Sequence, residues 1–236
     1  MSSIMILIPA YNAAEFLESV VAQSLEWDLP VVVVDDGSSD ATAEVAERAG
    51  ATVVRHPSNM GKGKALSTGF QYAHDNEYAA VVTLDADGQH DPGEIGAFLE
   101  EHERSGADIV IGTRMRNVEG MPWLRRLVNR SSSFLVSKIT GMRITDCQSG
   151  YRLVRTCAWQ EVKPESPRFD AEPELLFGAA KRSFTITEVP IRTIYRDEAK
   201  SMISPPLDAW MFIKRAFKAM LDRRRASARR RIGTSS

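Results

Sequence analysis

The sequence predicts an α/β fold in which a mostly parallel sheet is flanked by helices. Short apolar, β-rich runs alternate with stretches of helical spacing in the order βαβαβαβ, turn, αβ, as expected of parallel strands joined by crossover helices. Several of those runs end abruptly in residues that carry chemistry, which places functional loops along the edge formed by the strands' carboxyl ends. Length bounds the rest: 236 residues with 43% hydrophobic content bury one substantial core and are too short for two comfortable domains. Residues 1–204 are expected to form the domain. Residues 205–236 are expected to form a basic amphipathic helix and a disordered, Arg-rich tail.

The first strand is Ile4 to Ile8, stopped by Pro9, and Ala13 to Leu25 follows with helical spacing at Phe16, Leu17, Val20 and Val21. Between them Pro9-Ala10-Tyr11-Asn12 sets a rigid turn and an aromatic ring where a flat base could stack. The plainer alternative is a Pro-Asn turn with the Tyr packed on it. Val31 to Val34 is the purest β-branched run, followed by Asp35-Asp36-Gly37-Ser38-Ser39-Asp40 and a helix through Ala49. Ser39 or Asp40 suits the helix cap. Asp35 and Asp36 are less easily explained, because adjacent carboxylates repel unless something uses them. An Asp beside a nucleotide can accept the imino N–H of uracil or guanine. Thr52 to Arg55 is a third strand, and Asn59-Met60-Gly61-Lys62-Gly63-Lys64-Ala65 leads into a helix ending near His74. Glycines around Lys62 suit a loop lying against a ligand, with an ammonium for phosphate. The GxxxxGK[ST] spacing of a P-loop is missing, and so is GxGxxG after the first strand, which disfavours a dinucleotide-binding dehydrogenase.

The fourth strand, Ala80 to Leu84, runs into Asp85-Ala86-Asp87-Gly88-Gln89. Two carboxylates and an amide oxygen at a strand's carboxyl end suit Mg²⁺ or Mn²⁺ carrying phosphate oxygens. A turn rich in Asp and Gly is the alternative. A helix from Asp91-Pro92 to about Arg104 and a strand from Asp108 to Gly112 follow, ending in Thr113-Arg114. One edge thereby collects Tyr11, Asp35, Asp36, Lys62, Asp85, Asp87 and Arg114, a mixture that a purely structural account does not require.

From Met121 to Gly141 apolar residues interleave with Arg125, Arg126, Arg130 and Lys138, as in an amphipathic basic helix or helix pair. It reads either as a cap on the sheet or as a lid for a lipid acceptor, with arginines for the acceptor's phosphate. Phe169 to Lys181 then reads as a helix opening and Ile186 to Tyr195 as a strand.

Net charge is −1, but nine Lys or Arg against Asp208 and Asp222 lie from Pro205 onward, leaving −8 on the rest. Leu207, Trp210, Met211, Ile213, Phe217, Met220 and Leu221 recur there at largely helical spacing among basic residues, as in a helix lying in a membrane interface. No stacking aromatic is interleaved with Arg223 to Arg225 and Arg229 to Arg231, so a nucleic-acid partner is not expected. No run reaches the roughly 18 apolar residues of a membrane span, and the N-terminus lacks the pattern of a signal peptide. A cytoplasmic protein, peripheral at the inner membrane face, is the expectation. Cys147 and Cys157 indicate neither a disulfide framework nor a zinc site.

Taken together, PAYN at Pro9, VVDDGSSD at Val33, NMGKGKA at Asn59, LDADGQHDP at Leu84, GTR at Gly112 and DCQSGYRL at Asp146 resemble the family 2 glycosyltransferases of GT-A fold, most closely the dolichol-phosphate mannose synthase-like branch. The resemblance covers about residues 4 to 155. It implies an enzyme that moves a sugar, with inversion, from a nucleotide diphosphate sugar of GDP-mannose or UDP-glucose type to a polyprenyl phosphate. It places a Mg²⁺ or Mn²⁺ ion on Asp85 and Asp87 with Gln89 as third contact, and base and ribose contacts on Pro9, Tyr11, Asp35 and Asp36. Lys62 and Asp85 join the nucleotide site. Asp146 takes the place of the family's base, although a lipid phosphate is already anionic at pH 7 and asks for charge neutralisation rather than proton removal. Arg114 and Arg152 are then expected to clamp phosphate, and Lys200 and Ser201 match a basic loop that closes over donor phosphates. The mannose synthases often carry an acid directly after the Asn of the first motif, where this chain has Ala13. A soluble or protein acceptor, or a catalytically idle nucleotide-sugar binding module, are the alternatives.

Overall fold

The computed structural model of the protein describes residues 3–116, 118, 121, 123–166, 171–192 and 194. Lys200, Ser201 and the C-terminal segment lie outside the described residues.

Seven strands form one sheet: β1 (Ile4–Ala10), β2 (Val31–Asp35), β3 (Thr52–Arg55), β4 (Ala80–Thr83), β5 (Ile109–Thr113), β6 (Arg152–Arg155) and β7 (Ile186–Pro190). Helices α1 (Ala14–Leu25), α2 (Thr42–Arg48), α3 (Lys62–Asp75), α4 (Ile95–Ser105), α5 (Trp123–Thr140), α6 (Thr156–Val162) and α7 (Ala171–Lys181) connect them. The strand order is β3-β2-β1-β4-β6-β5-β7. All neighbours are parallel except β6, which runs antiparallel to both β4 and β5.

The central strands are apolar on both faces, and their alternation feeds two cores. Met5, Leu7, Val32 and Val34 point to one side, where they meet Phe70 of α3, Trp159 of α6 and Leu176 of α7. Ile6, Ile8, Val31 and Val33 point to the other, where they meet Leu17 of α1, Val45 of α2 and Phe98 of α4. Phe70 and Trp159 stack at 4.0 Å and are nearly coplanar. Helix α3 comes so close to β1 that a Cβ on Gly69 would stand 2.3 Å from a Leu7 methyl, so only glycine fits there.

The expected elements form with small shifts, and several features differ or are narrowed. Strand β6 was not anticipated: its four residues, RLVR, carry a charge at each end and show no apolar alternation. The stretch from Met121 resolves to one helix, α5, and β7 stops at Pro190, short of Tyr195. Neither Ser39 nor Asp40 occupies the cap position of α2, which falls to Ala41. Asp40 instead accepts from Thr42 N at 3.1 Å and from Ala14 N at 3.3 Å, tying the first turns of α2 and α1 together. No helix among the described residues is long and apolar enough to cross a membrane. Both cysteines are free thiols, Cys147 buried and Cys157 exposed.

Candidate active site

The register of β6 assembles the site. Thr83, at the end of β4, faces Arg152, at the start of β6, so the loop before β6 lands beside the acids that follow β4. Thr83 Oγ1 donates to Gly150 O at 2.8 Å and fastens the two. A Cβ on Gly150 would lie 2.7 Å from Asp85 Oδ2 and 2.9 Å from Lys62 Nζ, so glycine lets the backbone form one wall of the site.

Lys62, the first residue of α3, places its ammonium 2.6 Å from Asp85 Oδ1 and 2.9 Å from Glu172 Oε1. Burial works against both charges of the Lys62–Asp85 pair. The neighbouring acids nevertheless hold Lys62 above its usual pKa, and the Lys62 charge holds Asp85 down at about 2. Asp85 N donates to Nδ1 of buried His90 at 3.1 Å, which puts the ring proton on Nε2; burial lowers the pKa of that imidazole. Asp87 moves the opposite way, raised by burial and by the charge of Asp85. Gln89 donates to Asp87 through its backbone N at 3.0 Å and through Nε2 at 2.8 Å. Its amide thus steadies Asp87 from the nitrogen side, and the oxygen donation expected of Gln89 would need the amide turned over.

Across the cleft, Asp146 is fully buried and accepts from Arg114 N at 3.1 Å, Nε at 2.7 Å and Nη2 at 2.8 Å, and from Asn129 Nδ2 at 2.9 Å. Burial pushes its carboxyl up, but these hydrogen bonds and the Arg114 charge outweigh it and leave the group below its ordinary value. Glu188 of β7 receives Thr145 N at 2.7 Å and Thr145 Oγ1 at 2.9 Å, fixing the loop that carries Asp146. Asp146 is therefore an orienting acid for Arg114 and a weak base.

Three of the expected site residues are buried. Arg152 is 2% exposed, and its guanidinium donates to the carbonyls of Cys147 at 2.8 Å, Ser149 at 2.8 Å and Glu172 at 3.1 Å. It ties α7 to the loop before β6 and does not face a phosphate. Asp35 and Asp36 are 0% and 3% exposed. Asp35 receives Ser38 N at 3.0 Å and Arg55 Nε at 3.2 Å. Asp36 receives Met60 N at 2.9 Å, Gly61 N at 2.7 Å and a 2.7 Å contact from His56. Something does use the adjacent carboxylates, and it includes the protein itself: they shape the turn and the loop that delivers Lys62. Pro9 and Tyr11 stand half-buried at the end of β1. Beside them Asn12, held at φ 49°, donates its N to Ser38 Oγ and accepts Ser39 N on Oδ1, both at 2.9 Å, which joins the first two loops.

Sequence reasoning missed Glu172, whose FDAEPEL setting reads only as a helix start, and Asn129 and Glu188, which carry no local motif. The site brings Asp85, Asp87, Asp146 and Glu172 together with Lys62 and Arg114, leaving two negative charges. Among the described residues no three His, Cys, Asp or Glu side chains form a metal cage. That donor set fits Mg²⁺ or Mn²⁺, which take one or two carboxylates and fill the remaining positions with substrate phosphate and water.

Residues 5–162 match the model of the Glycosyl transferase family 2. The chain is 30% identical over 218 residues to UDP-N-acetylglucosamine–dolichyl-phosphate N-acetylglucosaminyltransferase of Methanococcus voltae, covering 82% of this chain and 86% of that protein. It is 28% identical to polyprenol monophosphomannose synthase of Mycolicibacterium smegmatis, covering 85% and 80%. Among solved structures it superposes on glucosyl-3-phosphoglycerate synthase of Mycobacterium tuberculosis, in complex with Mn²⁺, uridine diphosphate and phosphoglyceric acid, with a TM-score of 0.70 at 21% identity, covering 94% of this chain and 78% of that one. The match over most of the sheet and the shared architecture make the conclusion plain: the chain belongs to glycosyl transferase family 2 and is a glycosyltransferase of GT-A fold.

Proposed function

We propose that the enzyme transfers a sugar from a nucleotide diphosphate sugar, of GDP-mannose or UDP-glucose type, to the phosphate of a polyprenyl phosphate at the cytosolic membrane face. One helix carries the argument. The inner side of α5 reaches the site, where Asn129 bonds Asp146, while its outer side leaves Trp123 76% and Phe134 65% exposed, with Leu127 between them and exposed Arg126 and Arg130 alongside. A soluble acceptor has no use for such an apolar stripe beside the site; a prenyl chain in a membrane does. The dolichyl- and polyprenyl-phosphate specificity of the two relatives points the same way.

Asp85 and Asp87 would hold Mg²⁺ or Mn²⁺, and the ion when bound would offset the charge of the departing diphosphate. Tyr11 and Pro9 flank the base side, and Lys62 stands on the diphosphate side. The acceptor phosphate, already anionic, attacks the anomeric carbon from the face opposite the diphosphate. The new carbon–oxygen bond forms as the old one breaks, and the diphosphate leaves with the electron pair. No proton has to move, so Asp146 serves by aiming Arg114 at the incoming phosphate. Lys200 and Ser201 are assigned to a loop closing over the donor; the chain approaches the Asp87 loop at Ile194, whose N donates to Gln89 O at 3.0 Å.

The test is an acceptor screen with purified protein, Mn²⁺ or Mg²⁺ and a panel of UDP- and GDP-sugars, offered polyprenyl phosphate or soluble phosphoglycerate. Lipid-linked sugar as the main product supports the reading. Transfer to the soluble acid alone overturns it.

A further inference from the structure

We propose that Lys62 is a cation with two seats, and that Glu172 is the positioning residue that supplies the second one. In the arrangement seen, Lys62 Nζ bonds Asp85 Oδ1 at 2.6 Å and Glu172 Oε1 at 2.9 Å. When donor and metal arrive, Lys62 gives up Asp85 and passes the released N–H to Glu172 Oε2, freeing Asp85 to change partners. The proposal rests on the metal-dependent donor reading above.

Three observations carry it. Lys62 on Asp85 Oδ1 takes up part of the carboxylate's charge, and an ammonium 2.6 Å from that oxygen repels a divalent ion bound to the same group. Withdrawing Lys62 from every acid would strand a buried positive charge, which is the costly outcome. Glu172, which already binds the ammonium, keeps that charge paired inside the site once Asp85 is released. Glu172 is built for it: the residue is 6% exposed, one oxygen already binds Lys62, and Oε2 is buried with no hydrogen-bond partner. A buried carboxylate oxygen left without a donor is unfavourable in the resting arrangement and is explained when the other arrangement supplies one.

The surroundings limit Lys62 to this exchange. Gly150 stands against both Asp85 and the ammonium, closing one side. Glu172 is fixed in place because its carbonyl accepts Arg152 Nη1 at 3.1 Å and because it sits in the first turn of α7, where the helix dipole favours its charge. The exchange breaks one N–H···O contact and makes another, and the ammonium stays charged throughout.

The full-length chain, titrated with Mn²⁺ in the presence of UDP or GDP and followed by the resonance of free Mn²⁺, tests the exchange without turnover. Glu172→Gln should weaken Mn²⁺ binding by about tenfold, the scale of losing a partner that supports a metal ligand. Glu172→Asp, which keeps the charge but shortens the reach, should lose as much. In a Lys62→Met background Glu172→Gln should change binding by less than about twofold, because the competitor for Asp85 is gone. Equal losses in both backgrounds, or parent affinity in Glu172→Asp, would mean that Glu172 acts only through its charge and would overturn the proposal. Thermal unfolding run alongside identifies any variant that fails to fold, and Glu172→Asp then decides. A parent that binds no Mn²⁺ with either nucleotide overturns the donor reading and this inference with it; a parent that binds while the variants match it overturns the inference alone.

Discussion

Replacing Asp146 by Asn removes one charge and one acceptor from the most enclosed ion pair in the site. The parent carboxylate takes Arg114 N and Nε on one oxygen and Arg114 Nη2 and Asn129 Nδ2 on the other. An amide keeps one acceptor oxygen and turns an NH₂ toward the remaining donors, so two contacts become donor against donor whichever way it settles. Breaking a buried pair from one side costs about 3 to 5 kcal/mol, and the surviving acceptor puts this case near the lower end, about 3 kcal/mol. For a domain of this size that lowers Tm by about 6 to 12 °C. The sign with pH follows from the depressed pKa of Asp146. Its stabilisation is fully present above the unfolded-state value near 3.9 and disappears as pH falls through the lower folded value. The stability gap between parent and Asp146→Asn should therefore be flat from pH 8 to about 5 and close in the acid range. Sugar transfer should drop by about two orders of magnitude through misdirection of Arg114. Urea and thermal unfolding across pH, with transfer rates beside them, measure all three. A Tm within about 2 °C of the parent, or a gap that changes around neutrality as for an ordinary titrating base, would refute this account of Asp146.

Asp87→Asn, at saturating Mn²⁺, should reduce transfer by at least about two orders of magnitude with the fold intact; activity within a few-fold of the parent would remove Asp87 from the metal site. Gly150→Ala should force Lys62 and Asp85 apart and weaken nucleotide diphosphate binding while leaving the unfolding free energy within about 1 kcal/mol of the parent, as calorimetric titration beside a melt would report. Arg152→Gln leaves buried carbonyls without donors and should cost about 3 kcal/mol of stability with the donor KM of the folded fraction unchanged; an unchanged Tm with a raised KM would restore it as a phosphate clamp. Trp123→Ser with Phe134→Ser should cut sedimentation with liposomes and raise KM for long-chain polyprenyl phosphate, while a short-chain analogue is used as before.

The strands were legible because burial on both faces leaves no polar positions in VVVV or MILI, and the acids after them stood out against that background. Where the site depends on partners far along the chain, the residues alone were silent. Nothing in the sequence tells that Asp36 is satisfied by Met60 and Gly61, or that Arg152 is consumed by carbonyls, because a guanidinium reads the same whether it meets phosphate or backbone. Glu172 escaped notice for a related reason: its value comes from meeting Lys62, and that meeting is made by α7 packing against α5 and α6, which no local pattern encodes.

The antiparallel insertion of β6 also sets an order in which the molecule can be completed. Strands β1 to β4 belong to the first 83 residues and can pair with one another as the chain emerges from the ribosome, but β4 then presents an open edge. Strand β5 cannot close that edge, because its place beside β4 belongs to a segment not yet synthesised. Only after Arg155 has emerged can β6 fold back between them, a pairing of high sequence separation and hence slow. Until that moment Asp85 and Lys62 have no Gly150 beside them. A nascent or truncated chain that stops before β6 thus has the nucleotide-side loops and no working centre, and it carries an unprotected β4 edge that invites aggregation.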